Sequence, residues 1–418
     1  MKKLLLLGFC FWSLQLQAAR ILIPMDKAQR DHLKSYGIAY FSLQQGIEVS
    51  WLLNYRGGSF SMPQIPTLEA ECRIRGVSYE VLPDIRYEQI LLEIADPEVN
   101  MDVVKLEVAP RIAVYTPPTK QPWDDAVTMA LVYAEIPYEK VYDDEVLQGK
   151  LPLYDWLHLH HEDFTGQFGR FYAAYRDAPW YQAEVREANA TAARHGFNKV
   201  SQLKLAVVHK IRDFVSGGGF LFAMCSATDT YDIALAAEGI DICESMYDGD
   251  PADPNAQQKL DFDKTFAFKN FVLKRNPLEY EFSDIDATNT RGFIGEQNDF
   301  FTLFDFSAKW DVIPTMLNQN HEQVIKGFMG QTTAFRKETL KSDVLILGET
   351  RSLNETRYIH GSYGKGTWTF YGGHDPADYQ HMVGEPPTDL NLHPNSPGYR
   401  LILNNILFPA ARKKKQKT

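Results

Sequence analysis

The chain has 418 residues, 44% of them hydrophobic and 13% aromatic, which excludes a disordered protein and is enough apolar material for cores in two or three domains. Its formal net charge of −11 excludes a general nucleic-acid binder, because a phosphate backbone is held by clustered Lys and Arg.

Residues 1–19 read as a cleavable signal peptide. Lys2 and Lys3 supply the positive start, Leu4 to Leu16 the apolar run, and Ala18 and Ala19 the small residues a peptidase needs. The expected destination is the periplasm or cell envelope. The run is shorter than the ~20 apolar residues of a membrane span, and Phe9 before Cys10 breaks a lipoprotein signal. No later segment is apolar enough to span, so no stable membrane span is expected. Cys10 leaves with the signal, and the odd set Cys72, Cys225 and Cys243 remains.

A small N-terminal α/β unit is predicted over residues 20–107. Ile21 to Pro24 is a strand, His32 to Gln45 a helix, and Glu48 to Tyr55 a strand closed by Arg56, Gly57 and Gly58. Thr67 to Arg75 suits a helix, Tyr79 to Leu82 a strand and Arg86 to Ile94 another helix. The double glycine reads as a turn, with anion cradling by its amides as the less favoured alternative.

A second alternating series runs over residues 108–410. Ile112 to Tyr115 is a strand, and a helix follows from Trp123 with Asp124 and Asp125 in its first turn, stopped by Pro137. Tyr138 to Tyr142 and Asp155 to His160 are strands, and Val207 to Val215 mark the core face of a helix ending at Gly217. Phe220 to Met224 is wholly apolar, as in a strand covered by helices on both faces. The pattern loosens over about 239–341, which reads as an inserted cap. Val344 to Leu347 resumes the sheet, Arg357 to Tyr371 forms a hairpin, Tyr399 to Phe408 a helix, and residues 411–418 a solvated basic tail. The fold class expected is α/β, a doubly wound and mostly parallel sheet with an inserted cap and the small N-terminal unit.

The densest chemical signal is the strand Phe220 to Met224 followed by Cys225 and a helix beginning near Asp229. A nucleophile at such a turn stands above the sheet, and amides at the helix start stabilise an oxyanion and a thiolate. Ala223 and Ala227 lie two residues either side, with Ser226 adjacent. A late segment supplies a base: Gly372, Gly373, His374, Asp375 and Pro376, then Asp378. A second cluster, His158, His160, His161, Glu162 and Asp163, carries donors suited to zinc or another divalent ion. Its loop through Thr165 and Gly166 would alternatively line the thiol pocket and offer amides to an oxyanion. The aromatic stretch Phe164 to Tyr181 reads as a core face and lid, with stacking on carbohydrate or peptide as the alternative.

The Cys225 turn and the His374 segment resemble class I glutamine amidotransferase-like domains, the ThuA-like and related groups among them, over roughly residues 111–408. Those enzymes carry G-x-C-x-G and His-Pro-Glu, where the cysteine forms a glutamyl thioester, the histidine is its base and the glutamate orients the histidine. The resemblance implies Cys225 as nucleophile and His374 as base, with Asp375 or Asp378 orienting it. Here both elbow glycines are alanine, and His-Pro-Glu has become His374-Asp375-Pro376. The turn Tyr55 to Gly58 and the segment Trp156 to Phe168 also resemble exported bacterial proteins labelled asparagine synthetase B. That label fits poorly, since no phosphate loop and no N-terminal cysteine are present.

The function expected is therefore exported thiol-dependent amide hydrolysis or transfer of glutaminase type, on a small amide or peptide-like substrate and with no cofactor. The alternatives are a catalytically degenerate binding or assembly module of the cell envelope, and a zinc-dependent hydrolase built on His158, His160 and His161.

Overall fold

The structure is a computed structural model that describes residues 19–412 apart from residues 120 and 292. The signal peptide expected over residues 1–19 lies outside the described residues up to residue 18, and the basic tail expected over residues 411–418 does so from residue 413.

Five short strands open the chain: β1 (Ala19–Ile23), β2 (Val49–Leu53), β3 (Ser59–Pro63), β4 (Glu80–Pro83) and β5 (Asp102–Leu106). They form one sheet in the order β4-β1-β3-β2-β5, and every pairing in it is antiparallel. The alternating α/β unit expected for this segment exists, but its sheet contains no parallel crossover.

Ten strands make the second sheet: β6 (Ile112–Tyr115), β7 (Glu139–Val141), β8 (Trp156–Leu159), β9 (Phe220–Met224), β10 (Phe300–Leu303), β11 (Val324–Lys326), β12 (Phe335–Arg336), β13 (Leu345–Thr350), β14 (Glu355–Tyr363) and β15 (Gly366–Tyr371). The order is β11-β10-β13-β14-β15-β9-β8-β6-β7, with β12 on β14. From β7 to β15 the pairings are parallel; from β15 to β11 they are antiparallel. The protein is thus α/β with a mixed sheet, not a mostly parallel one. The difference comes from the hairpins β13-β14 and β14-β15, whose short turns force antiparallel pairing, and from residues 239–341, which add β10, β11 and β12 to the sheet, all antiparallel to their partners.

Side-chain alternation sorts the large sheet into two cores. Ile112, Val114, Trp156, Phe222 and Met224 face one way, against the helices His32–Gln44, Ala126–Tyr133 and Pro397–Leu407. Ala113, Tyr115, Leu157, Leu159 and Ala223 face the other, against Val200–Gly217 and Ala227–Ala236. The first core continues into Ile21, Trp51 and Phe60 of the small sheet, whose outer face is closed by Ile90 and Ile94 of the helix Asp84–Ala95. Each fully buried aliphatic or Phe side chain contributes about 1.5–3 kcal/mol, so the shared core fixes the two sheets to each other.

The Gly57 and Gly58 turn belongs to that junction. Arg400, fully buried, donates to the carbonyls of Gly57 and Met25, and a Cβ on Gly57 would lie 2.3 Å from the Met25 oxygen. Among the described residues no helix is long and apolar enough to cross a membrane.

Candidate functional site

The site forms where β8 and β9 end. Cys225 follows the last residue of β9 and has φ 52°, a left-handed conformation that costs a non-glycine residue on the order of 1–3 kcal/mol. The turn is held by the neighbouring β8 loop: the Ala227 amide donates to the His160 carbonyl (3.1 Å) and the Ser226 hydroxyl to the His161 carbonyl (3.0 Å). The strain sits on Cys225 itself. Ala223 is ordinary strand and Ala227 ordinary helix, so the elbow forms without the two glycines.

His374 comes from the loop after β15, the strand that pairs directly with β9. Its Nε2 lies 2.9 Å from Asp124 Oδ1, and its Nδ1 lies 3.3 Å from His160 Nε2. Burial by itself would lower the ring's pKa, but hydrogen bonds to Asp124 and to the Cys225 side chain outweigh it and hold His374 up at about 10. Burial works against ionisation of Asp124 as well, and the bond from His374 more than offsets it, leaving the carboxyl below its usual range.

The carboxylate in contact with His374 is therefore Asp124, neither Asp375 nor Asp378. Asp375 is directed into the body of the domain, where it accepts from the Tyr399 hydroxyl (2.8 Å) and the Thr388 hydroxyl (2.6 Å). Asp378 accepts from His381 Nδ1 at 3.0 Å. Asp124 was read from sequence only as a helix-start residue. No spacing rule links it to His374, because the contact joins positions 250 apart.

A third segment joins the site from within residues 239–341. The Gln331 amide donates to the Cys225 sulfur at 3.3 Å. The Met329 carbonyl accepts from the His374 amide (2.9 Å) and the Thr332 carbonyl from the Gly373 amide (2.8 Å). This segment thus bridges Cys225 and His374. Gly330 allows the approach, since a Cβ there would lie 2.7 Å from the His374 nitrogen. Arg357 holds the segment from behind through the Phe328 carbonyl (2.5 Å), and is itself fixed by Asp299 (2.6 Å).

The β8 histidines divide between two groups of possible metal ligands, His158 and His160 with Asp125, and His160 and His161 with His374. His158 is closed off, with Nδ1 on the Phe222 carbonyl (3.3 Å) and Nε2 on Asp125 Oδ2 (3.2 Å). His160 lies between Asp125 and His374, whereas His161 Nε2 turns to the Asp124 carbonyl (2.7 Å). Burial lowers His160 to about 4 and His161 well below its ordinary value. His158 and His160 are buried, whereas His161 is half-buried and lines the cavity with His160.

Thr165 offers no amide to an oxyanion, because both its amide (2.7 Å) and its hydroxyl (2.5 Å) are bound to Asp163. Gly166 lines a neighbouring cavity and packs so closely on Ser201 that a Cβ would lie 2.7 Å from its nitrogen. Ser226 stays at the elbow, fully buried. The Phe164 to Tyr181 stretch packs on itself through Phe171 and Trp180 (5.7 Å) and on Trp123, which each of the two meets at 5.3 Å.

The cavity measures about 640 Å³, and its wall includes Asp124, His160, His161, Glu162, Glu184 and Lys204. Cys225 and His374 stand behind the Asp124 and His160 part of that wall, and Cys225 is 4% exposed.

No family model matches this chain, and no curated protein matches it. Among solved structures, it is similar to two cytoplasmic proteins of Salmonella typhimurium. The first is 10% identical with a TM-score of 0.35, over 73% of this chain and 100% of the other. The second is 12% identical with a TM-score of 0.33, over 72% and 100%. A cold-adapted β-galactosidase from a Rahnella species aligns at 12% identity and a TM-score of 0.24, over 64% of this chain and 29% of its own.

Proposed function

We propose that this chain is an exported, thiol-dependent amide hydrolase or transferase on a class I glutamine amidotransferase-like scaffold. The observation that carries the reading is Cys225, held at positive φ on the strand-to-helix turn, with His374 on the adjacent strand end and Asp124 behind the histidine. The parallel run β7-β6-β8-β9-β15, with the thiol at the end of β9, supports the scaffold.

In the reaction, the Cys225 thiolate attacks the amide carbonyl carbon. His374, protonated at neutral pH, gives its proton to the departing nitrogen as the C–N bond breaks, leaving an acyl thioester and ammonia or an amine. Water then attacks the thioester while His374 takes its proton, and the C–S bond breaks to release the acid and restore the thiolate. Asp124 keeps the ring oriented and its charge stabilised throughout. The helix-start amide of Ser226 is the donor best positioned for the oxyanion, since that of Ala227 is bound to His160.

The test is ammonia release from glutamine, asparagine and small peptide amides by the wild-type chain and Cys225→Ser. Release that vanishes in the variant supports the reading; release that persists, or none from any of these substrates, opposes it. The export half rests on residues 1–19. A periplasmic protein beginning at Ala19 or Arg20 agrees with it, and one retaining Met1 opposes it.

A further inference from the structure

Beside the thiol, a second feature of the same loops points to a ligand. His381 is buried, its side chain 2% exposed, and its Nε2 has no hydrogen-bond partner. Its Nδ1 lies 3.0 Å from Asp378 Oδ2. A carboxylate only accepts, so Nδ1 carries a ring proton, and Nε2 is the ring atom left without a partner. Nε2 faces Asp124 Oδ1 at 3.5 Å, and the same oxygen already accepts from His374 Nε2 at 2.9 Å. A cation bound between them would satisfy the buried nitrogen and the carboxylate together.

We infer that Asp124 Oδ1, His374 Nε2 and His381 Nε2 form a binding site for a zinc-class divalent cation, and that occupancy switches the thiol centre off. One ligand atom from each residue lies within 4.8 Å of the others. Bonds of about 2.1 Å at tetrahedral angles separate ligands by about 3.4 Å, so small side-chain shifts close the site. Two histidines and a carboxylate suit zinc. Asp378 supplies the carboxylate that fixes the ligating tautomer of His381, the usual outer partner of a metal-bound histidine. Binding displaces the Nε2 proton of His374 to solvent. It also takes Asp124 away as the orienting group, so acyl transfer through Cys225 stops while the metal is held.

The inference rests on the thiol reading only for its inhibitory half, and the two are separable. Chelator-stripped protein is equilibrated with zinc, gel-filtered and analysed for metal. One zinc per chain is expected for the wild type and for Cys225→Ser, with binding weakened at least tenfold in His381→Gln and about 10–100-fold in Asp378→Asn. Asp378 is one-third exposed, so its variant keeps the fold, and circular dichroism checks both variants. Zinc should also slow alkylation of Cys225 in the wild type but not in His381→Gln. No retained zinc in the wild type, or equal retention in Asp378→Asn, overturns the site. Zinc retained with Cys225 unreactive throughout leaves the metal site standing and removes the thiol reading.

Discussion

His374 Nε2 and Asp124 Oδ1 meet at 2.9 Å across 250 residues of sequence, joining the loop after β15 to the start of the helix that follows β6. Asp124→Asn keeps the shape but removes the charge that supports a protonated His374. The expected result is a loss in kcat of about 10²–10⁴-fold with KM little changed, read from steady-state kinetics of amide cleavage. An unchanged kcat would remove Asp124 from the account.

His374 also ties stability to pH. Its folded value of about 10 lies above the ordinary 6.5, so the stabilisation is complete below pH 6.5 and is lost as pH rises through 10. In chelator-treated protein, denaturant unfolding between pH 6.5 and 10 should show stability falling for the wild type. The fall should be markedly smaller for His374→Gln.

Gly330 permits the close approach of the bridging segment to the base. In Gly330→Ala the new Cβ, built 2.7 Å from the His374 nitrogen and 2.8 Å from the Gly373 carbonyl carbon, must push the two loops apart. Overpacking of this kind costs about 1–3 kcal/mol. The larger effect expected is on catalysis, since the displaced group carries the base. Comparing melting temperature with kcat separates the two.

Asp299 lies at the centre of a fully buried ion network, 2.5 Å from Arg291 and 2.6 Å from Arg357. Asp299→Ala leaves two guanidinium groups facing each other without their shared counter-ion. The expected destabilisation is about 3–5 kcal/mol, measured by denaturant unfolding. Because Arg357 also holds the Phe328 carbonyl, activity should fall below what the loss of folded protein accounts for.

What the sequence made legible follows from how local each signal is. β6 and β9 coincide with their apolar runs, and the helix Val200–Gly217 ends where Gly218, at φ 123°, stops it. Each is decided by short-range patterning. The strands β10, β11 and β12 were missed because they are elements of only two to four residues, with too few alternations to stand out. Cys225 and His374 were legible because a strand-to-turn junction is itself a local feature. Asp124 and Gln331 were not, because only the folded chain brings their distant loops to His374 and Cys225. The choice of Asp375 failed on direction: adjacent to His374 in sequence, its carboxylate points instead at Tyr399.

The central claim is that Cys225 is the reactive thiol of the chain, and competition among its three cysteines tests it directly. Burial pushes Cys72 up to about 12 and Cys243 well above its ordinary value, so both should be inert in the folded protein. Native, metal-free protein is treated with substoichiometric iodoacetamide at neutral pH, and the modified residue is located by peptide mass spectrometry. The account predicts alkylation of Cys225 first, slowed in His374→Gln, with amide cleavage lost in proportion to label. Cys225 left unmodified until the protein unfolds, or labelled no faster than Cys72 and Cys243, would contradict it.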